Sequence, residues 1–315
     1  MNKKTVTITG GSGFVGQLLQ SGLKERGYRV VVFDQIRGPL VNVLRRRYLG
    51  TSISRIGLTL ARRLKRYLGR LEEALIKGHI IHPTWDNVLD LRSRLAAQFR
   101  SSYAVVHLAA LPHPNFPGAI DADFRRINYE GSINVLEAAR DAGVPKFIFP
   151  SSGQVYGINN PVRIDQFPIL ESNYCPVLGE GQSMYGLLKL EFENYLARVC
   201  AGGDTQAIAL RLEMPGIRST YPVNFSISTS IENVVAGFVC ALEAELNSGF
   251  EAFNIADRCV DEKIVDIQKF IREEWPRVPN FTTGNECLLS TEKARSTIGY
   301  SPISGGTYFD FSVVW

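Results

Sequence analysis

Paired cysteines, long apolar runs, internal repeats and low-complexity stretches are all missing from this chain of 315 residues. Its five cysteines (Cys175, Cys200, Cys240, Cys259 and Cys287) form an odd set with no C-x-x-C pair. That argues against a disulfide framework or zinc site and for reduced thiols that pack as small apolar groups. No run approaches the roughly 18 apolar residues of a spanning helix. The N-terminus, Met1-Asn2-Lys3-Lys4-Thr5-Val6, passes into a strand pattern without a signal-peptide core, so a cytoplasmic location is expected. No metal is expected either. His79 and His82 with Asp86 supply three ligands in a loop without a fourth, the usual look of surface residues.

What is present is a globular composition: 45% apolar residues, 35 basic against 31 acidic side chains and a mean hydropathy of −0.03. The net charge of +4 is unevenly spread. Residues 38–80 carry ten Lys/Arg against Glu72 and Glu73, a local +8, which leaves the remainder at −4. Within them, residues 53–77 space Ile53, Ile56, Leu60, Leu64, Tyr67 or Leu68, Leu71 and Leu75 at helical steps, with Arg62, Arg66 and Arg70 on another face. This basic amphipathic helix has three readings: a solvated face over the protein's own core, a contact with an oligomer mate or acidic partner, or a contact with an anionic membrane surface. No nucleic-acid recognition module accompanies the charge, so nucleic acid is not expected.

Short β-branched runs alternate with helix-period segments, the pattern of βαβ units in a parallel sheet. Strands are predicted at 5–9, 29–34, about 88–90, 103–109, 146–151, 206–212 and 252–256. Helices are predicted at 14–26, 122–142, 183–201, 231–246 and 263–275. The expected fold is α/β, a parallel sheet covered by helices on both faces. The irregular stretch 151–182 is where a substrate loop would sit.

Residues 5–16, TVTITGGSGFVG, run from a strand through Gly10, Gly13 and Gly16 into a helix. Gly10 suits a sharp turn, Gly13 a close approach of backbone N–H groups to a pyrophosphate, and Gly16 close packing of the helix, whose N-terminus attracts negative charge. Asp34 ends the second strand eighteen residues past Gly16, where a carboxylate can accept from the adenosine ribose hydroxyls. It favours NAD over NADP, although Arg37 nearby could pair with a 2′-phosphate.

In MYGLLKL (184–190), Tyr185 and Lys189 are four apart and share one helix face. An ammonium beside the phenol, helped by a positive nicotinamide ring, would lower the tyrosine pKa and let it remove a hydroxyl proton as hydride leaves the carbon. The strand ending in Ser151-Ser152 can present a hydroxyl to the same oxygen. His107 is expected to be buried at its strand end, and His113 to lie either in a pocket wall or in an ordinary loop.

Together these residues resemble the extended short-chain dehydrogenase/reductase family, in particular its NAD-dependent sugar epimerase/dehydratase branch. The resemblance runs from about residue 4 to 301 through TGGSGFVG, Asp34, DLRS (90–93), HLAA (107–110), INYEGSINVLEAAR (127–140), FPSSGQVYG (149–157), YGLLK (185–189), ENVVAGFVCALE (232–243), FNIAD (253–257) and STEKARSTIGYSP (290–302). It implies a Rossmann-like doubly wound parallel sheet with a small C-terminal substrate lobe: residues 1–170 as the NAD-binding core, with 38–80 inserted, and 171–315 as the catalytic helix, last core strands and a reduced substrate lobe interleaved with it. It also implies a catalytic trio of Ser152, Tyr185 and Lys189. Ser152, four residues before Tyr156, is preferred to Ser151. It implies cofactor contacts from Gly10, Gly13, Phe14, Val15, Gly16, Asp34, Asp90, Leu91, Leu108, Ala109, Ala110 and Asn128, besides Tyr185 and Lys189. It also implies a homodimer through the helices at 122–142 and 183–201.

The chain departs from that pattern in informative places. Gly153 and Gln154 stand where dehydratases carry an Asp-Glu pair, which disfavours dehydration. Arg211 is followed three residues later by Met214 where nucleotide-sugar enzymes have Asn, and the step from Gly216 to Glu232 is only sixteen residues. Leu188 replaces a common Ser or Thr. The leading expectation is NAD-dependent hydride transfer at a secondary alcohol of a sugar or nucleotide sugar. The alternatives are an NADH-releasing dehydrogenase of a free uronic acid or other small hydroxy compound and, from another class, a non-catalytic NAD-binding scaffold or sensor.

Overall fold

The computed structural model describes residues 3–34, 88–113, 119–157, 164–174, 182–218 and 227–310. Strands β1 (Thr5–Thr9), β2 (Arg29–Phe33), β3 (Ala104–His107), β4 (Lys146–Ser152), β5 (Gln206–Leu212), β6 (Ile217–Arg218), β7 (Phe250–Asn254) and β8 (Phe309–Asp310) make two sheets. The large one is parallel, in the order β2-β1-β3-β4-β5-β7, and the small one pairs β6 with β8. The chain winds outward from β1 to β2, then back across β1 to β3 and beyond. That reversal opens a crevice at the carboxyl ends of β1 and β3.

Why the strands are apolar on both faces is visible in the two layers of core. Val6 and Ile8 of β1 pack with Leu19 and Leu23 of α1 (Phe14–Glu25) and with Phe238 of a later helix, Ile231–Glu243. On the opposite face, Val105, Phe147 and Phe149 pack with Leu95 and Phe99 of α2 (Arg92–Phe99), Val135 and Leu136, and Phe192 and Leu196. A third cluster joins Val155, Phe167 and Ile169 to Val265, Ile271, Trp275 and Leu289, and forms the core of the C-terminal lobe.

The sequence-based elements need four adjustments. Val88–Asp90 is a turn, not a strand: Asn134 Nδ2 donates to the Val88 and Asp90 carbonyls, both at 2.8 Å, which replaces sheet pairing. The expected helix 122–142 divides into α3 (Asp121–Phe124), a π-helical turn Arg125–Glu130, and α4 (Gly131–Asp141). After α5 (Met184–Cys200) and α6 (Ile231–Glu243), α7 spans only Ile267–Glu274, because the Asp266 side chain accepts from Lys269 N at 2.9 Å and starts the helix there. Glu292–Ile298 forms α8, which the sequence periodicity does not predict. The basic helix 53–77, the insertion 38–80, Arg37 and the His79/His82/Asp86 group lie outside the described residues. No helix among the described residues is long and apolar enough to cross a membrane.

Candidate active site

The glycine loop between β1 and α1 is shaped by contacts that only glycine permits. Gly10 has φ +70°, and a Cβ there would lie 2.6 Å from Ala109 N, at the end of β3. A Cβ on Gly16 would sit 2.4 Å from Gly11 O, so Gly16 lets the helix close on the loop rather than on the strand. Gly13 is exposed and begins α1 with no side-chain cap, leaving the first helical N–H groups directed out of the helix. Such a cradle fits a diphosphate, through hydrogen bonds and through the helix dipole. Asp34 Oδ2 accepts from Ser12 N at 2.8 Å, which ties the end of β2 to the same loop.

The other expected cofactor contacts surround this crevice unevenly. Val15 is half-buried on α1, and Phe14 packs edge-on against Phe309 at 5.5 Å between ring centroids. Leu108, Ala109 and Ala110 are half-buried just past β3. Asp90 is half-buried, whereas Leu91 is 78% exposed. Asn128 is buried in the π-helical turn and holds the backbone of Leu111 at both ends, accepting from its N–H at 2.7 Å and donating to its carbonyl at 3.0 Å. Asn128 thereby orders the loop beyond β3. His113, half-buried in that loop, has its pKa lowered by burial. His107 is fully buried between Thr9 Oγ1 (2.7 Å) and Ser132 Oγ (2.9 Å). Burial, and after it the Lys189 charge, hold its pKa down at about 3.

The structure brings Ser152, Tyr185 and Lys189 to one place at the carboxyl edge of the sheet. Ser183 caps α5 by accepting from Gly186 N at 3.1 Å, which sets the helix phase that turns Tyr185 and Lys189 inward. Ser152, the last residue of β4, lies beside Tyr185 and favours its ionised form, whereas the Ser151 hydroxyl is buried without a partner among the described residues. Lys189 Nζ donates to Pro150 O at 2.7 Å and lies 5.5 Å from the Tyr185 ring centre. Burial draws the lysine pKa down to about 7, against the opposing charge of Glu193.

Two residues that sequence reasoning misses complete the cluster. Glu213, the first residue beyond β5, is buried, with Oε2 accepting from Ser152 Oγ at 3.3 Å and Oε1 from Gln154 Nε2 at 3.1 Å. Burial lifts its carboxyl to about 7. Gln154, in the sequence only a departure from the dehydratase pattern, also donates its N–H to Ser152 Oγ at 3.1 Å. The signal for Glu213 is its place: an acidic residue at the carboxyl end of an apolar parallel strand, where ligand crevices form. The expected lowering of the Tyr185 pKa is not produced by the protein alone. Burial raises it and the Glu213 charge raises it further, against a smaller lowering by the Ser152 hydroxyl.

Arg211, near the end of β5, is engaged inside the protein. It forms a two-pronged ion pair with Glu193 (3.1 and 2.6 Å) and donates to Tyr156 Oη at 3.0 Å and Glu171 O at 2.6 Å. Met214, in the place of the missing Asn, has φ +42°, a conformation that Asn tolerates better.

A family model described as "NAD dependent epimerase/dehydratase family" matches residues 6–215. A UDP-glucose 4-epimerase of Schizosaccharomyces pombe is 32% identical over 200 residues, covering 62% of this chain and 47% of its own. A UDP-glucose 4-epimerase of Erwinia amylovora is 30% identical over 212 residues, covering 67% and 53%. The chain thus spans about half the length of the curated relatives it matches. Among solved structures, a UDP-glucose-4-epimerase from Stenotrophomonas maltophila with bound NAD and formylated UDP-arabinopyranose superposes with a TM-score of 0.63 at 21% identity, over 95% of this chain and 93% of that one. A UDP-N-acetylglucosamine 4-epimerase from Methanobrevibacter ruminantium M1, in complex with UDP-N-acetylmuramic acid, gives a TM-score of 0.62 at 20% identity, over 97% and 94%. These two show the shared fold.

Proposed function

Because this chain belongs to the NAD dependent epimerase/dehydratase family, we propose that it binds NAD and moves hydride at a secondary alcohol of a sugar or nucleotide sugar. The observation that carries this reading is the placement of Tyr185 beside Ser152 at the sheet's carboxyl edge, with Lys189 one helical turn further along α5. Gly10, Gly13, Gly16 and the uncapped start of α1 would hold the diphosphate, and Asp34 the adenosine ribose. When bound, the nicotinamide supplies an acceptor and donor of hydride and a positive charge. Tyr185 would take the proton of the reacting hydroxyl, Ser152 would orient that oxygen, and Lys189 would hold the nicotinamide ribose.

The bound nicotinamide would also act on the phenol, because a positive ring stabilises phenolate and works against the burial that holds Tyr185 protonated. Screening nucleotide sugars, free uronic acids and aldoses, with reduced nicotinamide absorbance and product stereochemistry followed together, tests the reading. Tyr185→Phe should reduce turnover by about 10²-fold or more with folding intact, and unchanged activity overturns the mechanism. Inversion without added cofactor identifies an epimerase. The short step from Gly216 to Glu232 favours a second reading, an NADH-releasing dehydrogenase of a smaller substrate, for which net NADH would accumulate.

The family resemblance also supports a homodimer through residues 122–142 and 183–201, which sedimentation equilibrium would measure. The thiols of Cys200, Cys240 and Cys259 support a reducing, cytoplasmic setting.

A further inference from the structure

We propose that Glu213 is the terminal proton acceptor of this site, reached through Ser152, so that Tyr185 passes the substrate's proton on instead of storing it. The proposal rests on the reading above that Tyr185 and Ser152 meet the reacting hydroxyl. Glu213 does not touch the substrate in this scheme; it is a positioning residue that acts through Ser152.

The hydrogen bonds around the serine give the chain its direction. A serine hydroxyl has one hydrogen and two lone pairs. Ser152 Oγ donates to Glu213 Oε2 at 3.3 Å and accepts from Gln154 N at 3.1 Å. The one lone pair left over is open to the hydroxyl of Tyr185, which lies beside Ser152. The sequence of donors therefore runs from Tyr185 to Ser152 to Glu213. Gln154 Nε2 fixes the second carboxylate oxygen at 3.1 Å, so the acceptor cannot rotate away from the serine without losing that bond.

The surroundings are built for this carboxyl. A Cβ at Gly153 would lie 3.0 Å from Glu213 Oε2 and 3.1 Å from Ile227 Cδ1, so the absence of a side chain there is what makes room for the carboxyl. Among the described residues, α5 directs the titratable Tyr185 at Glu213, β4 and the turn after it direct neutral Ser152 and Gln154, and the segment before α6 brings apolar Ile227. No described cation pairs with it. A buried carboxylate without a cation is costly to packing and has no structural use in itself. Its acidity matches that of a working base, because burial brings it to about 7, near neutral pH, whereas the phenol of Tyr185 is held protonated.

Atoms and charge balance along the chain. In the oxidative direction the substrate O–H proton moves to Tyr185 Oη, the Tyr185 proton to Ser152 Oγ, and the Ser152 proton to Glu213 Oε2. Three O–H bonds break and three form, and the carboxylate becomes a carboxylic acid. The carbon's hydrogen leaves with the bonding pair to the nicotinamide, the oxidant of the proposed reaction. Running the chain backward returns the proton when the carbonyl is reduced. An epimerase would thus complete its cycle with no net proton exchange, whereas a dehydrogenase must discharge Glu213 to solvent once per turnover.

The test compares the NAD-bound wild type with Glu213→Gln on the substrate found by the Tyr185 screen. Wild-type kcat/KM for oxidation should rise with pH through about 7, as the acceptor ionises. In Glu213→Gln that rise should vanish, and the rate on its high-pH side should fall by about 10²-fold. A pH rise that survives the substitution overturns the relay. The second readout needs no turnover: infrared difference spectra taken across about pH 7 should show a buried carboxyl band in the wild type that Glu213→Gln lacks. Identical spectra overturn the proposal. Should Glu213→Gln fail to fold, Ser152→Ala cuts the chain with Glu213 in place; it should keep the carboxyl band and lose the pH rise, and a retained rise again overturns the relay. Failure of the functional reading looks different, since Tyr185→Phe would then leave activity unchanged whatever Glu213 does.

Discussion

His107 illustrates how a single side chain can decide the acid limit of this protein. Its ring is fully buried, bonded at both nitrogens to hydroxyls, and has no carboxylate to compensate a positive charge. Its pKa is lowered from 6.5 to about 3, so the folded state binds the proton more weakly than the unfolded one. A group depressed in this way contributes stability that is present above the unfolded value and lost as pH falls through the folded one. Between pH 6.5 and about 3 the protein should lose about 1.4 kcal/mol per pH unit from this residue. Urea midpoints measured over that range should fall more steeply for the wild type than for His107→Gln, and equal slopes would refute the assignment. Lys189 is lowered as well, to about 7, so its share of stability is lost as pH falls from 10.5 through that value, a window separate from that of His107.

At the scale of elements, the glycine loop is held from three sides. Asp34 reaches it from β2, Gly16 brings α1 against Gly11, and the end of β3 meets Gly10. Gly10→Ala would place a methyl 2.6 Å from Ala109 N and keep φ at +70°, so the loop and the end of β3 must separate. We expect a loss of about 1–3 kcal/mol in unfolding free energy from strain of this kind and a loss of NAD binding by calorimetry. Gly143→Ala, with a similar φ and nothing within 4 Å, should lose stability without losing NAD binding. Equal effects on NAD binding would show that the loop tolerates the methyl. The π-helical turn is another such device: it places Asn128 inside, where it fixes Leu111, at a position that helical periodicity alone assigns to an unbroken helix.

At the scale of the whole molecule, Arg211 connects the sheet to the lobe. From β5 it binds Glu193 on α5, Tyr156 in the turn after β4 and the carbonyl of Glu171; Tyr156 in turn donates to Asn254 of β7, whose N–H donates to Glu171 Oε1 at 3.0 Å. Arg211→Met would leave the Glu193 carboxylate buried without a cation and should cost about 3–5 kcal/mol in denaturant unfolding; a change under about 1 kcal/mol would show that the network contributes little. Much of the site was readable without coordinates, because the glycine spacing, Asp34 at a strand end and the Tyr185–Lys189 step each depend on residues close in the chain. The sheet was readable for the same reason, since both faces of each strand are apolar and a helix follows. Glu213 and the inward role of Arg211 were not readable, because they arise from the register of β4 with β5, which pairs Ser152 with Leu212 across a separation that no local pattern encodes. By itself the sequence determined the fold class, the cofactor loop and the identity of the tyrosine and lysine, all consequences of local periodicity and backbone preference. Only the tertiary structure decided which carboxyl faces them and whether it is buried, because desolvation depends on what packs around a group and not on its neighbours in the chain.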